Sequence, residues 1–406
     1  MIAVLLWLIA APVAAILLVF TLRRIIFMFA ILQTASQDNQ AVASDPGRLP
    51  HVLILVPCRD EVEMIPDLCR SLSQLDYPRE RLKVVLIDDA STDGTGRVME
   101  QIAVWPGWHV LKFSPNMGKA RALNIALDQF PFGEIIYVFD ADHRPDSQAL
   151  RQAVRYFEAP AVAAMTGFTR VSNPLASLSA FYSTVESYTN QLVTIRGKDR
   201  LGLAPSLLGS NCGYRRETLL AFGGFRAGAL SEDSDLTVTF HRAGYITRFA
   251  PDAISYQQVP QSLDGYLKQH IRWGRGLNDV AKSHRAAFLM DRKLRLPLRL
   301  ELLLFTAGYL DRLALMSAVF LLFVAYFVSS TLVLFLLGVT LLSLLTPLAQ
   351  IAALFFKERM DMAMWIRLPL VPVFFIFDIF AALRAMSETL LNQPRLWTKT
   401  RREEIP

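Results

Sequence analysis

Leu82-Lys83-Val84-Val85-Leu86-Ile87-Asp88-Asp89-Ala90-Ser91-Thr92-Asp93-Gly94 is an apolar, β-branched run that stops abruptly at two aspartates and a turn-forming cluster. Such a run bounded by Ser, Asp and Gly reads as a strand, a turn and the cap of a following helix. Working outward, residues 51–56, 109–113 and 135–139 repeat the strand pattern. Helical periodicity over roughly 63–74, 94–104 and 118–130 separates them. Alternation of this kind predicts βαβ units around a mostly parallel sheet. Ligands of such sheets bind beyond the carboxyl ends of the strands, so the residues that follow each strand carry the argument.

Carboxylates stand at two of those ends. Asp88 and Asp89 can accept hydrogen bonds from a ribose or base edge, although Ser-Thr-Asp-Gly alone is an ordinary helix cap. The run 135–139 leads straight into Asp140-Ala141-Asp142-His143. Two carboxylates one residue apart can share a hard divalent cation that bridges a diphosphate, and the position at a strand end favours that reading over a solvated turn. His143 reads as polar surface. No Gly-x-Gly-x-x-Gly follows a strand, and Gly118-Lys119 lacks the rest of a P-loop, which argues against hydride transfer and ATP hydrolysis.

Further along, Leu230-Ser231-Glu232-Asp233-Ser234-Asp235-Leu236 gathers three acids at a helix start, where the dipole alone would stabilise them. The sharper reading makes Asp233 a general base for an acceptor hydroxyl that attacks an anomeric carbon. Within a helical stretch over 264–282, Gln269, Arg272 and Trp273 share one face. An amide, a guanidinium suited to a diphosphate and a flat ring suited to a sugar therefore point together.

The chain has 406 residues, 53% of them hydrophobic, too apolar for an ordinary soluble protein. Apolar runs lie at 2–20 and 313–383, leaving one central domain of about 240 residues, long enough for a core of its own. No basic residue precedes the first run, whereas Arg23 and Arg24 follow it. That is a signal-anchor pattern with the N-terminus outside and the domain inside. Three scattered cysteines, Cys58, Cys69 and Cys212, support neither a disulfide framework nor a zinc site, which fits a reduced compartment. The net charge of +6 gathers beside the apolar runs and so points to anionic lipid headgroups rather than nucleic acid.

The expected organisation is an anchor over 1–32, a linker over 33–49, the domain over 50–285, an interfacial amphipathic region over 286–312, spans over 313–390 and a basic tail over 391–406. Crossings at 313–329, 332–355 and 368–385 would leave that tail outside, yet its basic residues prefer the inside. One segment within 362–385, which contains Asp378 and Arg384, is therefore expected to be interfacial or re-entrant.

Taken in order, an aspartate after the second strand, Asp140-x-Asp142, Ser231-Glu232-Asp233 and Gln269-x-x-Arg272-Trp273 resemble the motifs of membrane-bound glycosyltransferase family two. These are the processive synthases of cellulose, hyaluronan, chitin-like oligomers and poly-N-acetylglucosamine. The resemblance covers residues 50–285 and the flanking spans. It implies a GT-A fold, that is, a Rossmann-like, mostly parallel α/β cytoplasmic domain flanked by transmembrane helices. It also implies inversion at the anomeric carbon and a UDP-sugar used with Mg²⁺ or Mn²⁺.

By position the resemblance assigns uridine to Asp89 with Asp88, and donor diphosphate and metal to Asp140 and Asp142. It makes Asp233 the base and places Gln269, Arg272 and Trp273 at the diphosphate and acceptor, with Glu232 beside the acceptor. Asn116-Met117-Gly118-Lys119-Ala120 and Gly209-Ser210-Asn211 also look like family stretches, the first lining the nucleotide pocket through Lys119. The tail, with Trp397, Thr400 and Arg401, is similar to a gating or priming segment. Ser231 stands where threonine is commoner, and only about four spans are visible. The expected setting is a bacterial inner membrane, with a UDP-sugar donor, a glycan or lipid acceptor, membrane lipids and no nucleic acid as partners. Rival readings are a non-processive enzyme acting on a membrane lipid and a non-catalytic nucleotide-sugar sensor; the intact Asp233, Gln269, Arg272 and Trp273 speak against the sensor.

Overall fold

In the computed structural model the described residues are 2–33, 49–291 and 293–393. Trp397, Thr400 and Arg401 lie outside them, as does most of the 33–49 linker. The apolar runs form parallel strands where expected: β1 (Val52–Cys58), β2 (Leu82–Asp89), β3 (Trp108–Phe113) and β4 (Ile135–Val138). Helices α2 (Ile65–Ser73), α3 (Thr95–Ile102) and α4 (Lys119–Gln129) connect them; α1 is the N-terminal helix Ile2–Leu32. In register, Val52 pairs with Leu82 and Ile135, so β1 is central, and its residues from Val52 to Val56 are fully buried.

The rest of the sheet was not legible as strands. A two-residue β5 (Arg144–Pro145), β6 (Val162–Val171), β7 (Cys212–Arg215) and β8 (Ile246–Gln257) extend it to the order β3-β2-β1-β4-β7-β6-β8-β5. β7 runs antiparallel to both β4 and β6 and marks where the parallel half ends. Between these strands come α5 (Ala149–Val154), α6 (Leu178–Tyr188), a π-helical turn Thr189–Ile195, α7 (Arg196–Arg200), α8 (Arg216–Ala221) and α9 (Glu232–Arg242).

After the sheet, α10 (Leu263–Met290) is one unbroken 28-residue helix. It is followed by α11 (Leu296–Thr306), α12 (Leu310–Tyr326), α13 (Ser330–Lys357), α14 (Met362–Arg367) and α15 (Val371–Leu390). Among the described residues, three helical runs are long and apolar enough to cross a membrane: Ile2–Leu32, Ser330–Lys357 and Met362–Leu390. A bend of 71° separates α11 from α12, a pair that makes a fourth candidate. Within the described residues, the sharp break thus falls at 307–309, ahead of the segment expected to be re-entrant.

Domain and spans share one apolar cluster, in which Phe27 and Ile31 of α1, Phe181 of α6, Tyr266 of α10, Phe355 of α13 and Phe374 of α15 are all buried. Two polar clamps reinforce it. Arg23 donates through Nε and Nη2 to Glu301 at 2.8 Å each, while Lys198 lies 3.0 Å from the same carboxylate. Arg24 pairs with Asp311. The α10–α15 crossing is close because Gly274 lacks a side chain: a Cβ there would lie 2.8 Å from that of Ala385.

Candidate active site

The carboxyl ends of β1, β2 and β4 open into one cavity of about 1280 Å³ that continues into the helices below. Asp89, Lys119, Asp140, Asp142, Glu232, Asp233, Gln269, Arg272 and Trp273 all line it. Asp88 is not among the lining residues. Its Oδ1 accepts the Ser91 N–H at 2.9 Å, so it shapes the turn after β2.

Asp89 is committed to the next loop. Its Oδ1 accepts the Met117 N–H at 2.6 Å, and its Oδ2 accepts the Gly118 N–H at 2.8 Å and the Asn116 side-chain amide at 2.6 Å. That grip sets the start of α4 and hence the position of Lys119. The Lys119 ammonium donates to Asp140 at 2.8 Å and to the Gly209 carbonyl at 2.9 Å, and lies 3.4 Å from Glu232. Burial disfavours its charge, but Asp140, Glu232 and Asp233 outweigh burial and hold its proton more tightly than an ordinary lysine's.

Asp140 is anchored through its backbone N–H, which donates to the Ser210 hydroxyl at 2.7 Å. Asp142 Oδ2 accepts from the Gln257 amide at 2.9 Å, tying the doublet to β8. Among the described residues, no group of three or more His, Cys, Asp and Glu side chains is arranged to hold a metal ion. His143 departs from expectation. It is buried, its Nδ1 lies 3.0 Å from the Ser255 hydroxyl, and burial pushes its pKa down to about 4. Its place directly after two cavity-facing acids hid this, because the β8 partner is more than a hundred residues away.

The three acids at the start of α9 separate by direction. Asp235 turns away from the cavity to Arg226 at 3.0 Å and His284 at 3.1 Å. Glu232 faces Lys119. Asp233 faces the cavity, where its Oδ1 accepts the Ser234 N–H at 2.7 Å. Burial first, then the neighbouring Glu232, pushes its pKa up to about 7. Gly209 makes the close approach possible: its φ is +75°, and a Cβ there would come within 3.1 Å of Asp233 Oδ2.

Gln269, Arg272 and Trp273 do share the cavity-facing side of α10, with Trp273 41% exposed. Their setting was not readable from the sequence. His270, buried between them, stacks on Tyr266, meets the Trp273 ring edge-on at 4.9 Å and lies 2.6 Å from Glu186 of α6. Burial works against both charges, yet the pair keeps Glu186 below and His270 above its ordinary range. The hydroxyls of Tyr182 and Tyr266 both donate to Asp378 of α15. A lone acid in an apolar run was the signal; its partners lie on elements far away in the chain.

With this geometry in view, comparison with known proteins places the molecule. Residues 50–276 match the model of the glycosyltransferase-like family 2, and the chain belongs to that family. It is an enzyme of the glycosyltransferase class. A probable glycosyltransferase YdaM of Bacillus subtilis is 29% identical over 263 residues, 64% of this chain and 62% of the relative. A poly-β-1,6-N-acetyl-D-glucosamine synthase of Staphylococcus epidermidis is 25% identical over 257 residues, 63% of this chain and 61% of that one. The chain thus spans about three-fifths of the length of these relatives. Among solved structures, the mannosyltransferase PcManGT of Pyrobaculum calidifontis, in complex with GDP-Man and Mn²⁺, superposes with a TM-score of 0.64. That match covers 95% of this chain and 100% of the other at 24% identity, and the fold is GT-A.

Proposed function

We propose that the enzyme transfers a sugar, with inversion, from a UDP-sugar to a growing β-linked polysaccharide that leaves through the membrane. The observation that carries this reading is the continuity of the cavity. It runs from Asp89 and Asp140 past Asp233 and Trp273 to Arg24, Ser343, Gln350 and Asp378 on helices long enough to span a bilayer, where polar groups mark a substrate path. The likeness to poly-β-1,6-N-acetyl-D-glucosamine synthases supports the same choice.

In this reading Asp89 and its loop receive the uridine, with Asp88 acting through the turn. Asp140 and Asp142 would hold Mg²⁺ or Mn²⁺. Two hard oxygen donors suit ions that complete their shell with phosphates and water. When bound, such an ion neutralises charge on the diphosphate. Asp233 takes the proton of an acceptor hydroxyl; that oxygen bonds to the anomeric carbon as its bond to the diphosphate breaks and UDP departs. Lys119 steadies Asp140 and Glu232, Gln269 and Arg272 cradle the diphosphate, and Trp273 with Glu232 carries the acceptor.

A second reading, a single transfer to a membrane lipid, is favoured by the apolar wall that Leu17, Leu315, Leu344, Phe375 and Ile379 give the cavity's lower end. Membranes containing the full chain, incubated with a panel of UDP-sugars and Mg²⁺ or Mn²⁺ and then with chelator, separate these readings by product size. A polymer lost on chelation is expected. A lipid carrying one sugar would install the second reading, and no transfer from any UDP-sugar would end both.

A further inference from the structure

His270 stands between Gln269 and Arg272 on α10 and has no part in the proposed transfer. It is buried, and both ring nitrogens are held. Nδ1 donates to the Tyr266 carbonyl, one turn back on the same helix, at 2.9 Å. A carbonyl oxygen only accepts, so Nδ1 carries a proton, and Nε2 is the atom that faces Glu186 Oε2 at 2.6 Å. One face of the ring stacks on Tyr266, with 3.9 Å between centroids, and Tyr266 is pinned in turn by its hydroxyl's bond to Asp378. The imidazole is therefore fixed both in its plane and across it.

What this fixed ring touches is Trp273, which it meets at 4.9 Å and 63°. Trp273 is 41% exposed, and His270 is the only ring in contact with it among the described residues. A tryptophan half out of a helix surface has several staggered orientations open to it, and a fixed ring on one side removes some of them. The pair is not needed to hold α6 on α10, because Phe181 and Val185 already share a buried apolar cluster with Tyr266. A buried ion pair adds little net stability to such a contact, since desolvation offsets the attraction. We propose that Glu186 and His270 are positioning residues: Glu186 holds the His270 ring, and that ring sets the Trp273 indole at the angle at which it receives the acceptor sugar. The assignment rests on the reading of Trp273 as the acceptor's platform. Glu186 also lines the cavity, so its direct contact with the acceptor is the alternative, and the two differ in how substitutions combine.

The test uses the full chain in lipid nanodiscs, with the UDP-sugar that the panel selects as donor and a β-linked trimer of the same sugar as acceptor. Glu186→Ala and His270→Ala are each expected to raise the trimer KM about fivefold, the size of one lost ring contact or hydrogen bond. Acting in series, they should together cost about fivefold as well, not the roughly twenty-five-fold of independent contacts. Glu186→Gln, whose amide can still donate to Nε2, should recover most of the loss, with donor KM moving by less than about twofold throughout. A multiplied effect in the double variant would make Glu186 an acceptor contact and overturn the relay. So would an unchanged trimer KM in His270→Ala beside a raised one in Trp273→Ala, or donor and trimer KM rising together; each leaves the polysaccharide reading intact. An unchanged trimer KM in Trp273→Ala would overturn the platform and the relay with it. If the unsubstituted enzyme leaves the trimer untouched, the polysaccharide reading and this assignment fall together.

Discussion

Two aspartates face the same cavity and are treated in opposite ways. Asp89 is surrounded by donors, two backbone N–H groups and an amide from one loop, so its charge is spent on architecture. For Asp233, burial and the like-charged Glu232 outweigh its backbone hydrogen bonds and the nearby Lys119, so its charge is costly and its proton exchangeable near neutrality. A carboxylate saturated with donors suits the wall of a pocket, and one whose charge is disfavoured suits the base proposed above.

Substitutions should separate the two roles. Asp233→Asn is expected to cost on the order of 10³-fold in kcat, the range of general-base catalysis, with UDP affinity within twofold by calorimetry. Stability should respond in the other direction. Because the folded carboxyl holds its proton up to about pH 7 while an ordinary aspartate ionises near 3.8, the stability of the protonated form is full at about pH 3, is lost progressively as the pH rises towards 7, and is gone above that. Asp233→Asn should therefore raise Tm at pH 8 and leave it nearly unchanged at pH 3.

Asp89→Ala should behave as an architectural loss: about 3 kcal/mol of stability, measured by denaturation in detergent, and a donor KM raised roughly tenfold. Equal Tm losses in the Asp89 and Asp233 variants would erase the contrast. Gly209→Ala is smaller, about 1–2 kcal/mol, from a left-handed backbone and a crowded Asp233 carboxylate, and should move kcat more than donor KM. The smallest effect belongs to Tyr266→Phe, about 1 kcal/mol for one hydrogen bond to Asp378, seen as a lower Tm with donor KM unchanged.

The same contrast explains what the sequence disclosed. β1 to β4 were legible because each is a buried apolar run closed by turn residues, and the cavity-facing acids stand at their ends. β7 is four residues long, and β6 and β8 pair across more than eighty residues, so nothing local marks them as one sheet. Asp88 and Asp89 look alike in sequence; only the loop at Asn116 distinguishes the pocket wall from the turn former. Glu186 of α6 escaped notice because its partner His270 lies on α10, more than eighty residues away. Asp378 stood out as a charge in an apolar run, but its partners Tyr182 and Tyr266 arrive from distant elements.

The most direct test of Asp233 as the base is the pH dependence of kcat/KM for sugar transfer by the full chain. Ionisation near pH 7 predicts a rate that rises about tenfold per pH unit below that value and levels off above it, with the rising limb absent in Asp233→Asn. A profile that is flat from pH 5 to 9, or a limb that survives in Asp233→Asn, would contradict it.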